Sequence, residues 1–154
     1  MHKMQPYFRD AVPSDIPAIA AILRTGSPPE DGSHQQQHQQ LGSYRAALLE
    51  IDRAEGNYLL VAEYDSQVTA VVQLVTYRHI HDGGGRTAQI VSLHIAEPFR
   101  TSGISGMLLE HAAHRAREIG CRRLQVSCST ARTDEHSFWE RHGFVQLDRG
   151  YVRG

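Results

Sequence analysis

Apolar residues along this chain recur now at every second position and now at every third or fourth, and the switching predicts a mixed succession of strands and helices. Tyr7 to Val12 reads as a short strand. Pro13, Ser14 and Asp15 are helix-starting residues, and Ile16, Ile19, Ile22 and Leu23 follow at helical spacing. From Gly26 to Gly42 the chain turns to proline, glycine, glutamine and histidine, which predicts a loop. Ser43 reads as the cap of a second helix carried by Ala46, Ala47, Leu48 and Ile51 to about Ala54, with Gly56 as its stop. Tyr58 to Tyr64 and Val68 to Tyr77 form a hairpin pattern around Asp65-Ser66-Gln67, and Asp82-Gly83-Gly84-Gly85 is a further turn before a strand from Thr87 to Ala96.

Beyond that strand, Ile104, Met107, Leu108, Ala112, Ala116 and Ile119 lay one apolar stripe along a helix from Gly103 to Ile119, which Gly120 ends. Arg123 to Ser129 reads as a buried strand. Strand, helix and strand then make a right-handed crossover whose two strands are parallel. Asp134 to His142 is a short helix closed by Gly143, and Phe144 to Leu147 with Tyr151 to Arg153 predict a last hairpin. No repeat or linker interrupts the pattern, so residues 1–154 read as a single domain.

Composition narrows the class. A chain of 154 residues, 40% of them apolar, can bury one core without metal or disulfide support. Sixteen basic and seventeen acidic residues leave a net charge of -1, so no overall field recruits nucleic acid or an anionic membrane. Cys121 and Cys128 form neither a metal pattern nor a disulfide framework, which fits a reducing compartment. No stretch has membrane length, and Met1 to Pro6 lack the apolar run of a secretory signal, so a cytoplasmic protein is expected. Of the ten histidines, His34 with His38 and His111 with His114 are spaced to share a helix face, yet neither pair has a third ligand nearby and no metal is expected.

Candidate chemistry concentrates at Arg100-Thr101-Ser102-Gly103-Ile104-Ser105-Gly106, between the strand and the striped helix. Glycine admits close backbone approach, and the free N–H groups and dipole of a helix start attract an anion. The same residues also suit an ordinary strand-to-helix turn. There is no Gly-Lys-Ser/Thr ending of a nucleoside triphosphate loop, and the turn does not sit in a first strand-helix unit as a dinucleotide fingerprint would.

The run Leu93-His94-Ile95-Ala96-Glu97-Pro98-Phe99-Arg100-Thr101-Ser102-Gly103-Ile104-Ser105 resembles the signature of the GNAT superfamily of N-acetyltransferases, an apolar strand followed by Q/R-x-x-G-x-G/A. Downstream, His136-Ser137-Phe138-Trp139-Glu140-Arg141-His142-Gly143-Phe144 resembles the family's A-x-x-F-Y-E-x-x-G-F segment. The resemblance implies an α/β fold of the GNAT type: a central, mostly antiparallel sheet of about seven strands, one parallel crossover at the cofactor site, and about four flanking helices. It implies an acetyl-CoA-dependent N-acetyltransferase that moves an acetyl group to a primary amine of a small molecule or peptide, by direct attack on the thioester. A CoA-binding module without transfer activity, or transfer of a longer acyl group, is the alternative.

Residue roles follow from the same resemblance. Arg100 opens the loop; backbone N–H groups of Thr101, Ser102, Gly103, Ile104, Ser105 and Gly106 hold the CoA pyrophosphate; Leu93, His94 and Ile95 offer backbone to the pantetheine arm, Ile95 serving also as oxyanion donor. Arg115, Arg117, Arg122 and Arg123 form a basic cluster that suits a solvated face, or a contact for the adenosine phosphate where the fold brings Arg122 or Arg132 near. Three positions depart from the family. Ser105 replaces glycine or alanine, Val91 replaces a glutamate base, and Trp139 replaces the tyrosine acid, its indole N–H being a donor and no acid. Trp139 then packs on the pantetheine or in the core. Val91, Leu93 and Ile95 share one face by the two-residue period, which turns His94 to the other face, where it is a base only through water. His79, His81 and Tyr151 are lesser candidates at the cleft rim or acyl pocket, Glu30 and Asp31 for meeting a cationic amine, and edge strands near the C-terminus offer a route to a homodimer.

Overall fold

The computed structural model describes residues 4–24, 34–128, 133–147 and 150–154. Its elements follow in the order β1 (Tyr7–Asp10), α1 (Ile16–Arg24), α2 (His34–Arg53), β2 (Asn57–Tyr64), β3 (Gln67–Arg78), β4 (Arg86–Ile95), α3 (Ile104–Ile119), β5 (Cys121–Val126) and α4 (Thr133–Arg141). The strands form one sheet in the order β1-β2-β3-β4-β5, antiparallel throughout except for the parallel pair β4 and β5. This is the mixed α/β class that the sequence pattern predicts.

Alternate residues of the central strands face opposite layers. On one face Leu60, Ala62, Val72, Leu74, Ala88 and Ile90 pack against Ile104, Leu108, Leu109, Ala112 and Ala116 of α3 and against Trp139 of α4. On the other, Val61, Val68 and Val71 meet Ile16, Ile19 and Ile22 of α1 and Leu48 of α2. Arg9 ties the second layer to the sheet: its guanidinium donates to Asp15 at 2.6 and 2.9 Å and to Glu63 of β2 at 2.9 Å. The Asp15 carboxylate also accepts the Val12 N–H at 2.8 Å, which fixes the turn from β1 into α1.

Three expectations are corrected. The loop expected over residues 26–42 is helical in its described part, because α2 begins at His34. Glutamine is a good helix former even where no apolar period marks a helix, and Gln35, Gln36, Gln37, Gln39 and Gln40 are all exposed. Ser43 therefore lies mid-helix instead of capping it, its hydroxyl donating back to the Gln39 carbonyl at 3.2 Å. Glu30 and Asp31 lie outside the described residues. The sheet has five strands among the described residues where about seven were expected, and β5 ends at Val126. Phe144 to Leu147 and residues 150–154 form no strand. Val145, Leu147, Tyr151 and Val152 are largely exposed, and an alternating pattern with no layer to bury its apolar face is insufficient to hold a hairpin. The expected C-terminal edge strands are thus not present in the described residues, and β5 is the sheet edge at that side.

The Arg9 hydrogen bond, and secondarily the Val12 N–H, hold the Asp15 carboxyl below the usual carboxylate range against the opposing effect of burial. Its contribution is then present above the unfolded-state value, near 4, and is lost as pH falls through the lower folded-state value. Asp15→Asn should cost about 2 kcal/mol at pH 7, as for a hydrogen bond to a charged group, and the gap to wild type should narrow below about pH 4 in urea unfolding.

His111 of α3 stacks on Phe8 of β1, ring centroids 4.9 Å apart, and its Nε2 is buried without a hydrogen-bond partner among the described residues. Burial, then the charges of Arg115 and His114, push its pKa down, opposed by Asp10 and Glu118. The unfolded chain binds the proton first, so stability falls as pH drops below about 6.5. In His111→Phe the dependence of unfolding free energy on pH between about 5 and 7 should be shallower than in wild type.

Candidate active site

Ladder pairing between β4 and β5 runs from Arg86 opposite Cys121 to Ile90 opposite Val126 and stops. On its other side β4 stays paired with β3 to Ile95, opposite Ala70. From Val91 to Ile95 the strand therefore offers an edge that β5 no longer covers. The parting coincides with a β-bulge: Leu74 faces Ile90 and Gln73 faces Ser92, which leaves Val91 as an extra residue. Val91 is half exposed and lines a cleft of about 450 Å³.

The bulge resets the two-residue period. Ala88 and Ile90 face α3, and beyond the extra residue Leu93 and Ile95 face α3 as well. Val91 does not share their face through a continuous alternation, as the sequence period implies; it is the residue that lets the alternation change phase. His94 pairs with Val71, whose side chain belongs to the layer of α1 and α2. It thus points away from Leu93 and Ile95, as expected.

The cleft is lined by β4 from Ile90 to Ile95, by Arg100 and Ser105, by Val126, Ser127 and Cys128 after the last β5 pair, and by Asp134, Glu135, Phe138 and Trp139 of α4, with Ile22 of α1. Trp139 belongs to the core and also reaches the cleft. It is 9% exposed, packs in the core with Phe138 and Phe144 at 4.9 and 5.3 Å, and lines the cleft. Cys128 is exposed, and partial desolvation, then the charge of Glu135, push its thiol pKa up.

At the mouth of the cleft the chain turns from β4 into α3. Gly103, at φ 85° and ψ 0°, occupies the helix cap position without a capping side chain. A left-handed φ fixes glycine there through the backbone, while the place of a Cβ is open space. Ser102 is part of the scaffold: its hydroxyl donates to the Phe99 carbonyl at 2.5 Å and accepts the Ile104 N–H at 3.3 Å. Ile104 itself is fully buried, so only its backbone faces the turn. The N–H groups of Ser105 and Gly106 have no acceptor among the described residues. A second pocket, of about 350 Å³, opens beside them, lined by Arg100, Thr101, Gly103, Ser105 and Gly106 and by Phe138, Arg141 and His142 of the α4 end.

Leu93, His94, Ile95, Arg100, Thr101, Gly103, Ser105, Gly106 and Trp139 are brought together around these two spaces. Arg132 lies outside the described residues. Other candidates lie elsewhere. His79 hydrogen-bonds Thr87 at 2.6 Å and His81 contacts Asp82 at 2.9 Å, both at the turn that enters β4, the far end of the strand from Ile95. Arg122 reaches the Asp82 carbonyl at the same turn, and Arg115 lies over Tyr58 and contacts Asp10. Tyr151 is 91% exposed and lines neither pocket. Sequence reasoning missed Asp134, Glu135 and Cys128 in the cleft and Arg141 and His142 at its mouth. The signal available was the position of α4 directly after β5, which carries its two ends past the cleft.

No group of three or more His, Cys, Asp or Glu side chains among the described residues is placed to hold a metal ion, and no described helix is long and apolar enough to cross a membrane.

Solved structures with this fold include a transcriptional regulator from Bacillus halodurans, 24% identical with a TM-score of 0.83, covering 97% of this chain and 99% of that one. An aminoglycoside N-acetyltransferase in complex with CoA is 14% identical with a TM-score of 0.78, covering 98% and 95%. Glucosamine-6-phosphate N-acetyltransferase from Arabidopsis thaliana is 13% identical with a TM-score of 0.70, covering 97% and 98%. At such identities the likeness establishes the fold. No curated protein matches the chain in sequence. The family model described as acetyltransferase (GNAT) family matches residues 18–144, a span that holds the bulged β4, its open edge, the glycine turn and α4. The chain belongs to the GNAT acetyltransferase family.

Proposed function

We propose that this protein is an acetyl-CoA-dependent N-acetyltransferase, a single domain over residues 1–154, acting in the cytoplasm on a primary amine of a small molecule or peptide. The observation that carries the reading is the edge of β4 from Val91 to Ile95, left without β5 and lining a cleft that Ser105, at the start of α3, also lines. A pantetheine arm is a chain of amides and needs such an edge; a diphosphate needs the N–H groups of Ser105 and Gly106 beside Arg100. When bound, acetyl-CoA supplies an activated acyl thioester. The chain supplies the rest. Backbone N–H at Ile95 is the donor to the carbonyl oxygen as negative charge develops there. His94, on the α1 and α2 side of β4, takes the amine proton through water.

No acid occupies the tyrosine position of the family, since Trp139 stands there and its N–H does not titrate. A thiolate whose acid has a pKa near 8.5 departs without one. The same residue, together with Val91, favours a second reading, a CoA-binding module without transfer. Thiol release from acetyl-CoA over a panel of amines separates the two: release with at least one amine is expected, and tight CoA binding with no release from any amine would establish the module. His94→Ala should lower kcat and remove a limb of the pH-rate profile; an unchanged profile ends its role as base.

Gly103→Ala should weaken CoA binding by about five- to thirtyfold, because φ of 85° strains any other residue by about 1–2 kcal/mol and the turn relaxes away from its binding form. Trp139, the single tryptophan, lines the cleft and reports binding by its fluorescence.

A further inference from the structure

The pocket at the cleft mouth has two walls, and only one is the glycine turn. The other is the last turn of α4. Arg100 and Ser105 stand on the first side, Arg141 and His142 on the second, and no acidic residue lines the space. Neither Arg100 nor Arg141 makes an ion pair among the described residues. Two guanidinium groups, an imidazole and the N–H groups of Ser105 and Gly106, without an acceptor among the described residues, thus converge on one cavity in a chain whose net charge is -1. Such convergence repels a cation and suits a doubly charged anion.

Gly106 shows that the second wall is built in contact with the first. A Cβ on this residue would lie 2.9 Å from Cε1 and 3.4 Å from Nε2 of His142, so the imidazole rests on bare helix backbone. Phe138 holds its other flank, with ring centroids 4.5 Å apart. The His142 N–H is bonded to the Phe138 and Trp139 carbonyls at 3.3 and 3.1 Å, and Gly143 at φ 85° ends the helix there, so the ring's place is fixed by the helix end.

Resting on the assignment of acyl-CoA to this cleft, we propose that Arg141 and His142 are the second half of the phosphate site and bind the diphosphate of CoA from the α4 side, opposite the glycine turn. Gly106 serves this arrangement as the floor on which His142 lies, in addition to its N–H.

Binding is followed by Trp139 fluorescence with three ligands: CoA, dephospho-CoA, which keeps the diphosphate, and pantetheine, which lacks all phosphates. Arg141→Ala should weaken CoA and dephospho-CoA by the same factor, about tenfold, and leave pantetheine unchanged, while Arg141→Lys recovers part of the loss. His142→Ala should have a smaller effect of the same kind. Gly106→Ala should match it, and the double variant should be no weaker than His142→Ala alone, because the added Cβ and the deletion remove the same group. Circular dichroism melts check that each variant is folded. Affinities for CoA within twofold of wild type in both Arg141→Ala and His142→Ala would overturn the proposal while leaving the cofactor assignment standing. Loss confined to CoA, with dephospho-CoA unaffected, would move these residues to the 3′-phosphate and overturn it. Equal loss for pantetheine would reduce them to packing, with the same consequence. Failure of wild type itself to bind CoA would remove both the proposal and the reading beneath it.

Discussion

A strand in a sheet interior has its backbone groups satisfied on both sides only while a neighbour runs alongside, and β4 loses that neighbour after Ile90. Everything that can act in this protein is arranged around the loss. β3 keeps β4 in place from the other side as far as Ile95, so the uncovered backbone stays extended instead of curling into a loop. α3 starts within reach of that strand's end, and α4 returns past it after β5. The cleft is the space that the parting of two parallel strands leaves, and the core beneath it, with Leu108, Leu109 and Ile90 almost fully buried, is what keeps them from closing together.

The second layer is held by charge where the first is held by packing. Arg9 joins β1, the entry to α1 and β2 through three carboxylate contacts, and the loss of any partner leaves the remaining charge short of a hydrogen bond in a half-buried place. α1 contributes Ile22 to the cleft lining, so this charged joint sets one wall of the site from a distance. α2 contributes less to the core: Leu48 is its fully buried residue, and most of its described surface is exposed.

Legibility in the sequence followed the strength of the period. β3 and α3 are legible because Val68 to Tyr77 is dense in β-branched and apolar residues and the Ile104 to Ile119 stripe repeats without a break, and the glycine turn is legible because it sits between the β4 strand pattern and that stripe. α2 was missed over its first turns because glutamine forms helices without leaving an apolar mark. The last hairpin was overread because alternation alone does not say whether a layer is there to cover it. In β4 the period misled at one residue: Val91, Leu93 and Ile95 look continuous in sequence, yet the bulge intervenes. His94 nonetheless faces the expected way, since it directly follows Leu93. Proximity to the striped helix in sequence drew attention to Arg122, whereas the topology carries Arg141 to the helix start and Arg122 to the opposite end of β4.

The bulge at Val91 also makes β4 a counting device. Ala88 and Ile90 sit on even positions, Leu93 and Ile95 on odd ones, and all four face the same layer only because one residue between them is skipped by β3. The phase of the strand is set by the number of residues here and not by the side chain at Val91. Removing or adding one between Ile90 and Leu93 would turn the rest of the strand over, bringing His94 toward α3 and Leu93 toward α1, and with it every backbone group on the open edge would shift by one place. Related chains should therefore differ here by substitution and keep the spacing from Ile90 to the glycine turn fixed in length.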